Sequence, residues 1–234
     1  MTLVGTAATV VLLRDGARGL EVLLLERPRH TGTFAGAWVF PGGRVDAEDY
    51  DAAGTVPPNL DPEPRHPEEE LPAARIAGVR ETAEETALVL EPDALVDLSC
   101  WVPPLQAPKR LRTWFFLAPA PAGEIRLNPG ELIDHAWLTP AEALRLHRDG
   151  KMLLVAPTFV TLTLLQQFQD TAAALAHAAS AQLETFSSRL LDGYEPDAVI
   201  TWHGDEEYPA ESAGQSGGRH RLVMRGSDWR YERS

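Results

Sequence analysis

The sequence predicts an α/β fold with a mixed sheet and a C-terminal helical extension, and three observations carry that expectation. Short runs rich in Val, Leu and Thr alternate with helical patterns over the first two thirds of the chain. A Gly-Gly turn at Gly42-Gly43 precedes an acidic block, Arg80-Glu81-Thr82-Ala83-Glu84-Glu85, on helical spacing. From Pro157 onward, apolar residues recur at helical intervals through Phe159, Leu162, Leu165 and Phe168, followed by an Ala-rich stretch.

Taken in order, Thr6 to Leu13 and Leu20 to Leu25 read as strands joined by a turn over residues 14–19. Residues 50–71 read as a surface excursion. Gly54, Pro57, Pro58, Pro62, Pro64 and Pro67, with acids between them, neither continue a helix nor supply a core. A helix restarts near Glu68 to Pro72 and runs through the acidic block. Leu95 to Val102, Leu111 to Leu117 and Ile133 to Leu138 are strand candidates. Thr139 caps a helix that opens at Pro140 and reaches about His147. A longer helical region is expected from Pro157 to about Leu190, then strands at Ala198 to His203 and Arg219 to Val223, with a loop over 213–218. There is no internal repeat. The organisation expected is a core domain over 1–156 and an extension over 157–234, packed on that core or on a partner subunit.

On a helix, Glu81, Glu84 and Glu85 share one face, opposite a narrow stripe of Ile76, Val79, Ala83, Ala87 and Leu90. Burial of that stripe would hold the three carboxylates outward together. Hard oxygen ligands at this spacing suit Mg²⁺ or Mn²⁺ better than zinc. Arg80, four residues before Glu84, is in reach to orient it.

With the Gly-Gly turn, this block resembles the signature of the Nudix hydrolases. Gly43 is followed after five residues by Asp49 in the first acidic slot, and Arg80, Glu81, Thr82, Glu84, Glu85, Ala87 and Leu88 fill the second half. Four positions depart from the pattern. Asp49 replaces Glu, Thr82 stands in an apolar slot, Ala87 replaces Gly, and residues 50–79 replace a seven-residue link. The resemblance implies an α/β/α sandwich, divalent metal held by Glu81, Glu84 and Glu85, and hydrolysis of a pyrophosphate bond in a nucleotide-derived small molecule.

Within that family the chain looks like coenzyme A and acyl-CoA diphosphatases with an insertion inside the signature. The likeness runs through Val22 to Arg27, Phe34 to Trp38 and Val39 to Asp49, then through Pro108 to Phe116, Ala136 to Leu144 and Ala156 to Thr158. The products implied are 3′,5′-ADP and 4′-phosphopantetheine or its acyl form. A rival specificity for ADP-ribose or a nucleoside diphosphate sugar rests on Pro103 and Pro104 beyond the block. A silent Nudix-fold binding protein is the alternative of another class, and the complete Glu-x-x-Glu-Glu block stands against it.

Further candidates surround this block. Gly42 and Gly43 let backbone approach a phosphate or metal. Arg27, Lys109, Arg110 and Arg112 are candidate substrate-binding cations, the last three beside Trp114 as a site for a phosphate and an adenine ring. Glu131, in the Asn128-Pro129-Gly130 turn, is a candidate fourth acid that the resemblance implies for metal binding or water activation.

Composition narrows the partners. Lys plus Arg total 21 against 34 Asp plus Glu, a net charge of −13, which disfavours general nucleic-acid binding. Cys100 is the only cysteine, so neither an intramolecular disulfide nor a multi-cysteine zinc site is available. No membrane-spanning stretch or signal pattern is read, and a cytoplasmic protein is expected. The apolar face of the C-terminal helical region suggests a homodimer.

Overall fold

The computed structural model describes residues 3–30, 34–57, 67–208 and 216–234. In chain order its elements are β1 (Gly5–Gly16), β2 (Gly19–Glu26), β3 (Ala37–Val39), β4 (Gly42–Arg44), α1 (Ala47–Ala53), α2 (Leu71–Thr86), β5 (Val96–Val102), β6 (Leu111–Pro119) and β7 (Asp134–Leu138). There follow α3 (Pro140–Arg148), β8 (Leu153–Leu154), α4 (Ala156–Leu165), α5 (Thr171–Ser180), β9 (Glu184–Ser187), β10 (Arg189–Leu190), β11 (Ala198–Thr201), β12 (His220–Arg225) and β13 (Asp228–Arg233).

The main sheet is mixed, in the order β8-β3-β2-β1-β6-β5-β9, with β4 also on β1 and β7 also on β2. At its centre β1 and β6 run parallel, from Gly5 opposite Leu111 to Leu13 opposite Pro119. Strands covered on both faces read as nearly continuous apolar runs, which is why residues 6–13 stand out in the sequence. Alternation then divides the side chains. Ala8, Val10 and Leu12 join Ala73, Ala74 and Ala77 of α2 on one face. Val11 and Leu13 join Phe159, Leu162 and Leu165 of α4 on the other. Helical layers on both faces of a mixed sheet give the expected fold class.

Two expectations are corrected and a third is narrowed. The helical region foreseen over 157–190 breaks after Leu165. Asp170 caps a second helix by accepting from the Ala173 N–H at 2.8 Å, and that helix stops at Ser180. The remainder is extended, and β9 joins the main sheet parallel to β5, with Ser99 opposite Glu184 and Val102 opposite Ser187. Phe186 then stacks on Trp101 at 4.0 Å, so tertiary packing of an aromatic strand overrides local helical composition here.

Second, the region called a surface excursion, residues 50–71, begins inside α1 and ends in a 3₁₀ turn, Pro67–Glu70. Asp46 and Asp49 form a reciprocal capping box at the start of α1, and Gly54 closes it in the left-handed conformation at φ 65°. Tyr50 and Glu70, near the two ends of this region, are both buried. Residues 58–66 lie outside the described residues, as do 213–215 of the later loop.

Third, Phe159, Leu162 and Leu165 are covered by the chain's own core, the first of the two packings expected for that face, while Phe168 is partly buried. The final strand, β13, was not foreseen. It closes a hairpin with β12 across Gly226-Ser227, with Arg225 opposite Asp228, in a four-stranded antiparallel sheet of order β10-β11-β12-β13. Among the described residues, no helix is long and apolar enough to cross a membrane.

Candidate active site

The site forms where β4 and α2 meet. Strand β4 lies antiparallel to β1, with Ala8 opposite Gly43 and Thr9 opposite Gly42. Gly42 has φ 151°, and a Cβ there would run into the Ala8 carbonyl oxygen. A Cβ on Gly43 would collide with the Glu81 carboxylate. The two glycines therefore let the strand press against β1 on one side and the acidic helix on the other. Across that contact the Gly42 N–H donates to Glu85 Oε2 at 2.8 Å.

The helix presents a different face to the sheet from the one expected. Its buried residues are Ala73, Ala74, Ala77, Gly78, Thr82, Glu85 and Thr86, whereas Ile76, Val79 and Ala83 are only partly covered and Ala87 is exposed. Small residues let α2 lie close on the strands: a Cβ on Gly78 would sit 3.0 Å from Val10 Cγ2. Glu81 and Glu85 consequently lie against the sheet, while Glu84 points outward with a half-exposed side chain. The helix ends at Ala87, whose φ of 62° is left-handed, where its N–H donates to the Ala83 carbonyl at 2.9 Å. This is the slot in which the signature carries Gly.

Arg80 organises the acids. Its guanidinium forks onto Asp49 through Nε at 3.1 Å and Nη2 at 2.8 Å, and donates to Glu81 at 2.8 Å, Glu84 at 3.2 Å and the Arg44 carbonyl at 3.0 Å. These partners, Asp49 first, raise its pKa further above the ordinary arginine value, so it is a fixed positive charge. Asp49 is 2 % exposed, which gives the first acidic slot a positioning role through Arg80.

The carboxylates themselves are held at a cost. Burial pushes Glu85 up to about 7; the Gly42 N–H opposes this, Glu81 adds repulsion, Arg27 opposes and Glu131 adds more. Glu81 is also raised, chiefly by burial, with Arg80 opposing and Glu84 and Asp46 adding. Among the described residues, no three acidic, His or Cys side chains already converge on one point. Glu81 and Glu84 turn to Arg80, and Glu85 to the Gly42 N–H. The three are gathered on one turn, as foreseen, but not into a finished cage. Their mutual repulsion, and the hardness of the oxygen donors, fit a divalent cation.

Other foreseen residues divide into two groups. Arg27 lies within electrostatic range of Glu85, and among the described residues its buried Nε has no hydrogen-bond partner. Glu131 is exposed, in a loop tied to the end of α2 by Asn128 N–H to the Glu85 carbonyl at 3.2 Å and Arg126 N–H to the Thr86 carbonyl at 2.9 Å. Both stand with the carboxylates. Arg110 and Arg112 do not. Arg110 is buried and donates to the carbonyls of Pro103 and Pro104, and Arg112 is buried against Glu70. Trp114 is fully buried and cannot stack on a base, and Lys109 is exposed in the β5–β6 connection. The paired structural use of Arg110 and Arg112 left no signal in the sequence, because both partners are distant or backbone. A cavity of about 430 Å³ lies elsewhere, between β5 and α5, lined by Leu98, Trp101, Leu164, Phe168 and Leu183 and by none of Glu81, Glu84 and Glu85.

One similar solved structure supports this fold, and others are more distant. A Nudix hydrolase from Alicyclobacillus acidocaldarius is 26 % identical, covering 78 % of this chain and 100 % of its own, with a TM-score of 0.64. The fold is that of the Nudix hydrolases. The acidic block over Arg80 to Glu85 is intact on that fold. The Nudix domain of Shewanella oneidensis NrtR, in complex with ADP ribose, is 18 % identical over 71 % of this chain and 88 % of its own, with a TM-score of 0.49. A C. elegans Ap4A hydrolase is 21 % identical over 69 % and 96 %, with a TM-score of 0.42. No family model and no curated protein matches the sequence.

Proposed function

We propose that this Nudix enzyme hydrolyses the pyrophosphate bond of a nucleoside diphosphate derivative, with coenzyme A or an acyl-CoA as substrate. The observation that carries the reading is the Arg80-centred carboxylate cluster packed against Gly42-Gly43, with a free arginine donor beside it. Glu81, Glu84 and Glu85 are the residues that would hold Mg²⁺ or Mn²⁺. When bound, the metal supplies charge neutralisation at the pyrophosphate and a water acidified enough to attack phosphorus.

The chain's own groups do the rest. Arg80 keeps Glu81 and Glu84 oriented while Asp49 fixes Arg80. The unpartnered Nε of Arg27, inside the field of Glu85, is placed to donate to a substrate phosphate oxygen. Gly42 and Gly43 bring the strand backbone directly against Glu81 and Glu85, so the carboxylates sit at the turn itself. Glu131, exposed and close enough to raise Glu85, is the candidate to take a proton from water.

The coenzyme A assignment is supported by the likeness of residues 39–49 to that branch. An assay of phosphomonoester release from coenzyme A, an acyl-CoA, ADP-ribose and NADH, with Mg²⁺ or Mn²⁺, tests it. Preference for the coenzyme A substrates by tenfold or more in kcat/KM is expected. Preference for ADP-ribose moves the enzyme to the rival specificity, and turnover of none by pure folded protein favours the silent binding reading.

A further inference from the structure

Residues 50–79 separate the two halves of the signature, so something other than a short covalent link must set the position of α2. At its C-terminal half that is the Asp49–Arg80 fork. At its N-terminal end stands Glu70, which the sequence places in a proline- and acid-rich excursion and the structure buries to 2 % exposure. Glu70 occupies the N-cap position of α2, yet its side chain makes no capping hydrogen bond. It reaches instead into the sheet. Thr6 Oγ1 of β1 donates to its Oε2 at 3.0 Å, Trp114 Nε1 of β6 donates to the same oxygen at 3.1 Å, and Arg112 of β6 pairs with Oε1. Tyr50 of α1, near the other end of the excursion, is buried too and lies within electrostatic range of Glu70 and Arg112.

We propose that Glu70 is a positioning residue for the carboxylate block, fixing the N-terminal end of α2 to β1 and β6; the proposal rests on the metal-dependent Nudix reading above. The lever is geometric. About 16 Å of helix separates Glu70 from Glu81, so a tilt of about 4° at the clamp moves the carboxylates by about 1 Å. A displacement of that size at reacting groups costs about 10²-fold in rate. A buried ion pair of this kind adds little stability over an apolar substitute, whereas loss of one partner is severe. Specification of helix position is the role that its geometry serves.

The test compares the full-length protein with E70Q, E70Q/R112Q and T6V, using L222A in the four-stranded sheet as a control that loosens the fold away from α2. Mn²⁺ binding is measured by calorimetry at a temperature where circular dichroism shows each variant folded, and amide exchange is followed over residues 71–86. E70Q and the double variant are each expected to weaken Mn²⁺ binding about tenfold, in the range seen for supporting partners of metal ligands, and to speed exchange selectively in α2. T6V should do so to a smaller degree, and L222A should lower Tm with neither effect. The double variant carries no unpaired buried charge, so it reports even if E70Q fails to fold. A folded double variant with Mn²⁺ affinity within twofold of the parent and unchanged α2 exchange overturns the role of Glu70 alone. A parent protein that binds no Mn²⁺ overturns the metal reading, and this proposal with it.

Discussion

Among the described carboxylates, Glu85 is pushed furthest up. Its folded value of about 7 lies above the ordinary 4.5, so the protonated carboxyl favours the fold. The stability it contributes is complete below pH 4.5 and is lost as pH rises through 7, roughly 3 kcal/mol in all. The metal-free protein should therefore lose Tm between pH 5 and 8, and Mn²⁺ should restore it. Because a cation must displace that proton, Mn²⁺ affinity should rise about tenfold from pH 6 to pH 8. Calorimetry across that range checks this, and Glu85→Gln should flatten the dependence. Ala87 is the second residue with a measurable consequence. An L-alanine in the left-handed cap pays a steric penalty that glycine avoids, so Ala87→Gly should stabilise by about 1 kcal/mol. Thermal unfolding should show a rise of about 2–4 °C, and an unchanged or lower Tm would contradict the cap. The acids were singled out by spacing together with the Gly-Gly turn and the resemblance the two make. Their facing was not legible, since a wheel of bulky residues points Ile76 and Val79 inward, whereas a helix lying close on strands buries Ala74, Ala77 and Gly78.

At the scale of elements, strands with strong alternation or dense apolar runs were readable, and so was α3, where Thr139 accepts from the Glu142 N–H at 3.2 Å. Helix α1 was missed although Asp46 and Asp49 spell a capping box, because the prolines after it drew the whole segment into a loop. Strand β9 was hidden for a different reason: its partner is β5, more than eighty residues earlier, and no local pattern records that pairing. The weight it bears is testable. Phe186 is 1 % exposed, stacks on Trp101 and meets Trp202 edge-on at 5.4 Å. Phe186→Ala should cost about 3–5 kcal/mol in urea unfolding. A loss under 1 kcal/mol would mean that β9 is a loose appendage to the sheet.

Across the whole molecule, one sheet serves two purposes. Its α2 face carries the carboxylates, and its other face is closed by α3, α4, α5 and the second sheet, which share the core with Val11 and Leu13. The extension beyond residue 156 thus contributes a strand and much of one core layer to the catalytic unit. The acidic block could be read because Arg80 to Glu85 are close in sequence; the closure of the far face rests on long-range contacts such as Trp101 with Phe186, which leave no periodic trace. The central claim is that the block at 80–85 performs metal-dependent pyrophosphate hydrolysis. The most direct measurement is phosphomonoester release from coenzyme A, at saturating Mg²⁺ or Mn²⁺, by the parent protein, Glu84→Gln and Glu85→Gln, with circular dichroism on each. Loss of a ligand should reduce kcat by roughly 10²–10³-fold or more in both variants while each stays folded. Near-full turnover by both would contradict the account.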